Sequence, residues 1–275
     1  MAAVKRFMQT GTILHENCID TLNRLKGPVI DMTITSPPYD DLRSYNGYHF
    51  PVEEIAQGLF EKTKPGGVVI WVVGDKTVNG CETLTSFKHA FIFREAGFNV
   101  HDTMLYVKNN PIPSDCGPRY RQSFEYMFCF SKGKPNTFNP LTEPTKSAGA
   151  KIRAFRITEV GRGNVPDEDI GRKIKTERKV SNIFNYNVGT SSSRDKVAFE
   201  HPAIFPEQLC EDQIRTWTNE GNLVYDPFMG SGTTAKMAHL SGRDWFGSEI
   251  SKEYIDVANR RLAPYLAPKR VASMK

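Results

Sequence analysis

The feature that most constrains this chain is a glycine turn placed close to its end. "NLVYDPFMGSGTTAKMAHL", residues 222–240, reads as a short apolar strand, a turn around Gly230 and Gly232, and a helix. Glycines at such a turn let the backbone approach a ligand, and the start of the helix offers free N–H groups. Only about forty residues follow Gly232, too few for the remaining strands of an open α/β sheet. Earlier strands must therefore complete the sheet. The order is circularly permuted relative to folds whose ligand turn opens the chain.

The earlier chain supplies those strands. "VIDMTITS" alternates with Ile30, Met32 and Ile34 on one face, and "VVIWVV" at 68–73 is a continuous apolar run of the kind buried on both faces of a parallel sheet. "PVEEIAQGLFEKTK" reads as a helix stopped by Pro65-Gly66-Gly67, and "LTSFKHAFIFREAGF" as another ending at Gly97. "TMLYVK" and "FEYMFCFSK" are expected to pair at one edge. Their aromatics Phe124, Tyr126, Phe128 and Phe130 fit strand core better than a base-stacking platform. After the turn come strand "DWFGSE" and helix "SKEYIDVANRRL". The alternation predicts an α/β fold, a mostly parallel sheet with helices on both faces.

Charge divides the chain more sharply than composition does. The net charge is +5, yet residues 132–198 hold fourteen Lys or Arg against seven Asp or Glu. All the positive excess therefore sits in one stretch of weak periodicity, which suits a polyanionic partner or a basic solvated surface. No apolar run reaches the ~20 residues that cross a bilayer, so no membrane association is expected. The N-terminus has no apolar signal core. Cys18, Cys81, Cys116, Cys129 and Cys210 are dispersed without CxxC spacing, which reads as reduced thiols and no metal site.

Two loops carry the chemistry. In the first, Glu249 ends the strand after the glycine turn, where a carboxylate can accept both hydroxyls of a ribose. A glycine turn alone is a weak signal. A nicotinamide-dinucleotide site, with Ala235 in the third position, conflicts with the place of the turn in the chain, and a P-loop lacks its Gly-Lys-Ser/Thr. The second loop, Ser36-Pro37-Pro38-Tyr39, follows a buried strand. Two prolines remove two backbone donors and leave their carbonyls as rigid acceptors beside an aromatic ring. Taken alone, that loop reads most simply as a rigid turn.

"DPFMGSGTT" with "TSPPY" resembles the β group of DNA amino-methyltransferases that use S-adenosylmethionine, with the catalytic motif first and the cofactor motif last. "KPGG", "LYVKNNP", "FEYMFCFSKG", "HPAIFP" and "GSEISKEY" extend the likeness over nearly the whole chain. The resemblance implies a Rossmann-like methyltransferase domain in two halves. Residues 1–131 form the catalytic half, 199–275 the cofactor half, and 132–198 an inserted target-recognition segment. It assigns Ser36, Pro37, Pro38 and Tyr39 to catalysis. Asp226, Pro227, Phe228, Gly230, Ser231, Gly232, Thr233 and Glu249 go to the cofactor, with Asn17 and His201 beside them. Asn17 stands where the family usually has an Asp, and His201 suits a core or capping role equally well. Arg153, Arg156, Arg172, Lys173 and Lys175 are the candidate DNA contacts. Double-stranded DNA is the implied partner in a bacterial or phage-encoded cytoplasmic enzyme of restriction–modification type. A restriction endonuclease and a second copy of the chain are further candidate partners.

The resemblance also explains the prolines. An exocyclic amine on cytosine or adenine is a poor nucleophile because its lone pair is delocalised into the ring. The Ser36 side chain and the Pro37 carbonyl would hold its two protons and favour a tetrahedral nitrogen. Tyr39 would stack on a base flipped out of the duplex. Serine at the first loop position resembles enzymes acting on N4 of cytosine, with N6 of adenine as the alternative. Methylation at C5 needs an attacking thiolate, and no cysteine here follows a proline. A non-catalytic DNA-binding protein retaining the fold is the competing class.

Overall fold

The computed structural model describes residues 10–38, 50–111, 117–150, 155–158, 161–164, 173–201 and 204–266. Eight strands of the larger of two packed units form one sheet. They are β1 (Thr12–His15), β2 (Ile30–Thr35), β3 (Thr63–Val73), β4 (Asn99–Lys108), β5 (Phe124–Ser131), β6 (Ile183–Tyr186), β7 (Leu223–Asp226) and β8 (Asp244–Glu249). Their spatial order is β1-β8-β7-β2-β3-β5-β4-β6. All neighbours pair parallel except β5, which runs antiparallel to both β3 and β4. The chain thus forms the mostly parallel sheet that its apolar pattern predicts.

Helices cover both faces. Alpha helices α1 (Cys18–Arg24), α2 (Val52–Lys62) and α3 (Thr85–Glu95) pack on one side, against Val69, Trp71 and Val73 of β3 and Phe128 and Phe130 of β5. Helices α4 (Glu207–Trp217) and α5 (Thr233–Leu240), with Leu262 of α6 (Lys252–Leu266), pack on the other, against Val68, Ile70 and Val72. Successive β3 side chains alternate between two cores, which is why that run is apolar throughout. Phe128 and Phe130 are core residues, as expected, while Phe124 and Tyr126 are half-buried. Among the described residues no helix is long and apolar enough to cross a membrane.

Three details depart from the pattern-based reading. Ile30 does not share a face with Met32 and Ile34, because the β2–β3 register shifts between Ile30 and Met32. A one-residue irregularity sends neighbouring positions to opposite faces. Helix α2 ends at Lys62, so Pro65-Gly66-Gly67 lies inside β3. A Cβ on Gly66 would sit 2.2 Å from the Asn136 side chain, and one on Gly67 would sit 2.8 Å from the Asp31 carbonyl. Those glycines serve close backbone approach, not helix termination. Strands β4 and β5 do pair, but β6 lies outside them at the edge.

The basic stretch 132–198 is not one structural piece. Residues 140–181 pack as a separate unit, whereas 132–139 and 182–198, including β6, belong with the large unit. The small unit holds two antiparallel strand pairs, Thr142–Pro144 with Glu177–Lys179 and, between them in the chain, the hairpin Phe155–Thr158 with Gly161–Asn164. Over 140–150 and 173–181 it contributes no fully buried apolar side chain.

Candidate active site

Strand β7 lies between β8 and β2, so the ends of three parallel strands bring Glu249, Asp226 and Ser36 to one edge of the sheet. This is the switch point of the sheet. From β7 the chain crosses by α5 to β8, while β3 lies beyond β2 on the other side. Crevices at such points are where open α/β sheets bind ligands.

Asp226 joins the two predicted loops. Its Oδ1 accepts from Thr35 Oγ1 at 2.7 Å and from the Phe228 amide at 3.0 Å; its Oδ2 accepts from Thr234 Oγ1 at 2.6 Å. Burial pushes its carboxyl up to about 6, opposed by those three donors and assisted by the charge of Glu249. Because Thr35 immediately precedes Ser36, the aspartate ties the proline loop to the glycine turn by one side chain.

The turn needs its glycines for conformation and for space. Gly230 and Gly232 have φ of 50° and 79°, a region side chains rarely adopt. A Cβ on Gly230 would come within 3.0 Å of His201 Nε2. Glu249 holds the turn from below: its carboxylate accepts the amides of Gly230 and Ser251, each at 2.9 Å. Each oxygen keeps further acceptor capacity. The buried His201 ring packs edge-on to Tyr254, with centroids 4.3 Å apart.

Beneath the turn lies a cluster of four charges, two buried cations and two partly buried carboxylates, that the sequence reading missed. Arg261 of α6 donates to the Ser231 carbonyl (3.1 Å) and to Thr233 Oγ1 (2.8 Å). Its other nitrogens reach Asp195 Oδ2 (2.9 Å) and Glu207 Oε1 (2.6 Å), which also bind Lys236 at 2.7 and 2.8 Å. Burial raises both carboxyls, but hydrogen bonds from the two cations, with Tyr265 added for Asp195 and Ser193 for Glu207, outweigh it and hold them below their usual range. Two cations and two carboxylates balance, so the glycine turn rests on a neutral, hydrogen-bonded base. A lysine and an arginine on otherwise amphipathic helices were the available signal, but helical periodicity alone does not reveal their partners.

A cavity of about 580 Å³ opens over this edge. It brings together Ser36, Asp226, Phe228, Gly230, Ser231, Thr233 and His201 of the predicted residues. Pro37 is buried and Pro38 half-buried directly after Ser36, whereas Tyr39 lies outside the described residues. Gly232 is the residue before α5, and Pro227 begins the turn. Asn17 caps α1, its side chain accepting the Ile19 amide at 2.9 Å. Of the candidate DNA contacts, Arg153 and Arg172 lie outside the described residues, and Arg156 lies on the strand Phe155–Thr158. Lys173 and Lys175 are exposed in the small unit.

The wall beside Ser36 comes from β4, β5 and the turn before β5. Lys108 and Glu125 line the cavity and pair at 2.6 Å, with Tyr106 and Gln122 alongside. Tyr106 and Lys108 belong to the "LYVK" segment and Glu125 to "FEY", with Gln122 two residues before that segment; the sequence signal was a charged residue at the end of each apolar strand. Cys18, Cys129 and Cys210 are buried, Cys81 is exposed, and Cys116 lies outside the described residues. Burial pushes Cys18 up to about 12 and raises Cys129 and Cys210 well above the ordinary thiol value.

The comparisons with known proteins agree with this geometry. A family model described as DNA methylase, of the N6/N4 methyltransferases, matches residues 30–260. The orphan methyltransferase M.BamHII of Bacillus amyloliquefaciens is 52% identical over 246 residues, which is 86% of this chain and 90% of that protein. The M1.HpyAVI–SAM complex superposes with a TM-score of 0.61 at 25% identity, covering 91% of this chain and 98% of that one. The PvuII cytosine-N4-specific DNA methyltransferase superposes with a TM-score of 0.67 at 19% identity, covering 96% and 91%, a likeness of fold. With a carboxyl-edge cavity framed by a proline loop and a glycine turn, and a family match over most of its length, the chain belongs to the N6/N4 DNA methylase family.

Proposed function

We propose that this protein transfers a methyl group from S-adenosylmethionine to the exocyclic amine of a base flipped out of double-stranded DNA, with N4 of cytosine as the target. The observation that carries the reading is one cavity lined both by Ser36 and by Gly230, Ser231 and Thr233, so amine acceptors and the cofactor turn share a space. Its volume falls within the range of small-molecule sites. The cradle also suits the cofactor: a glycine turn tight against His201, the Asp226 carboxylate for a cationic ligand, and apolar Phe228 and Met229 beside it. When bound, S-adenosylmethionine supplies a methyl carbon activated by its sulfonium.

The chain's own residues do the rest. Asp226, Glu249 and the Gly230–Thr233 turn orient the donor, and Asn17 and His201 are assigned beside them. The Ser36 hydroxyl and the Pro37 carbonyl accept the two amine protons, which frees the nitrogen lone pair to attack. With the donor held there, the amine nitrogen would attack its methyl carbon, the S–C electron pair would stay on the donor's sulfur, and the extra proton on nitrogen would leave to solvent. Positioning supplies much of the rate. Tyr39 is assigned to stacking on the base. Serine at the head of the loop favours cytosine over adenine. The basic segment 132–198, with Arg153, Arg156, Arg172, Lys173 and Lys175, is assigned to DNA contact and target recognition between the catalytic and cofactor halves.

Nucleoside mass spectrometry of DNA from cells expressing the protein tests the reading. N4-methylcytosine is the expected product. N6-methyladenine would overturn the base, 5-methylcytosine the mechanism, and unmodified DNA the enzymatic reading itself.

A further inference from the structure

Residues 117–123 lead into β5 at the rim of the cavity. Because β5 is antiparallel, its first residues lie at the carboxyl ends of the parallel strands: Tyr126 pairs with Val73, the last residue of β3. Ser36 follows β2 at that same edge. Tyr120 is fully exposed there, flanked by exposed Arg119 and Arg121, and Gln122 and Glu125 just beyond line the cavity. Arg119 braces the segment. It donates to the Gly80 carbonyl and lies 3.6 Å from Glu82.

A fully exposed tyrosine ring gains nothing from the fold, and its apolar area stays available to a partner. With Arg119 engaged by Gly80 and Glu82, the exposed guanidinium of Arg121 beside the ring favours a polyanion. Extruding a base leaves its neighbours in the duplex without a stacking partner, a cost that an aromatic ring offsets. We propose that Tyr120 and Arg121 form the DNA-facing rim of the methylation cavity, the ring stacking on a base beside the displaced target and Arg121 binding an adjoining phosphate. This rests on the reading of the chain as a methyltransferase acting on a flipped base.

The test uses the full chain, unmethylated phage-length duplex DNA and a tritiated methyl donor. Tyr120→Ala should lower kcat/KM for DNA by about ten-fold or more, while Tyr120→Phe keeps it within about two-fold of wild type. Arg121→Gln should reduce the log–log salt slope of DNA binding by about one. Cofactor affinity by calorimetry should be unchanged in all three, which also establishes that each variant is folded. Wild-type kcat/KM in Tyr120→Ala, with an active parent, would overturn the rim assignment alone. A parent that transfers no methyl group to DNA would overturn both this inference and the enzymatic reading beneath it.

Discussion

The two faces of the sheet are built from different materials. On the α1–α3 face the core is aromatic: Phe93 stacks on Phe130 with centroids 4.4 Å apart, Trp71 lies 4.7 Å from Phe93, and Phe128 continues the row at 5.6 Å from Phe130. On the α4–α6 face the core is methionine-rich, with Met32, Met104, Met127, Met229 and Met237. The only fully buried lysine and arginine among the described residues, Lys236 and Arg261, lie on helices of that face. Aromatic packing contributes burial and defined geometry. Buried ion pairs add little net stability, because desolvation offsets much of their attraction. What the second face gains is position: its charges grip the backbone and hydroxyls of the turn that faces the cavity. One face stabilises the sheet, and the other aims the site.

The largest expected effect lies at the turn itself. Gly230→Val places a branched side chain at a φ of 50° against His201, and calorimetry should find no S-adenosylmethionine binding in a folded protein. Retained binding would mean that the turn is not the cofactor cradle. Removing the central ring of the other face sharpens the contrast. Phe93→Ala should cost about 3–5 kcal/mol in denaturant unfolding. The folded fraction should bind the cofactor as the parent does.

Arg261→Gln should cost on the order of 3 kcal/mol, because Asp195 and Glu207 keep only Lys236 as a full charge partner. Unlike Phe93→Ala, it should also weaken cofactor binding by about ten-fold through the released Ser231 and Thr233, with Arg261→Lys recovering part of the loss. If both variants spare the cofactor equally, the division between the faces fails.

The smallest effect is a pH dependence. Asp226 binds its proton more tightly in the fold than in the unfolded chain, its pKa raised from 3.8 to about 6. Its support for the fold is therefore complete below pH 3.8 and is lost as pH rises through 6. Cofactor binding should run the other way, since the ionised carboxylate attracts a cationic ligand. Titration calorimetry should show affinity falling by up to about ten-fold per pH unit below 6. A flat profile would place the ligand's charges away from Asp226.

Much of this architecture was legible without coordinates. The turn at Gly230 and Gly232, the doubly buried run at 68–73 and the helices flanking them depend on residues close together in the chain, where periodicity and turn chemistry act. The proline loop and the glycine turn could be paired only through their likeness to a known family. The misreadings share one cause. Ile30 turned to the other face through a register shift with β3, and Pro65-Gly66-Gly67 entered a strand because Asn136 packs over Gly66. Strand β6 joined the sheet from a stretch whose composition suggested a basic insertion.

The sequence by itself determined most of the helices and strands, their order, and the glycine turn and proline loop as local features, because short-range sterics and apolar spacing act within a few residues. Tertiary structure alone decided what those loops touch. The bond from Thr35 to Asp226 spans 191 positions, and Arg261 reaches Asp195 and Ser231 across 66 and 30. Such contacts exist only once the sheet has brought distant strand ends to one edge, where burial makes each polar group find a partner.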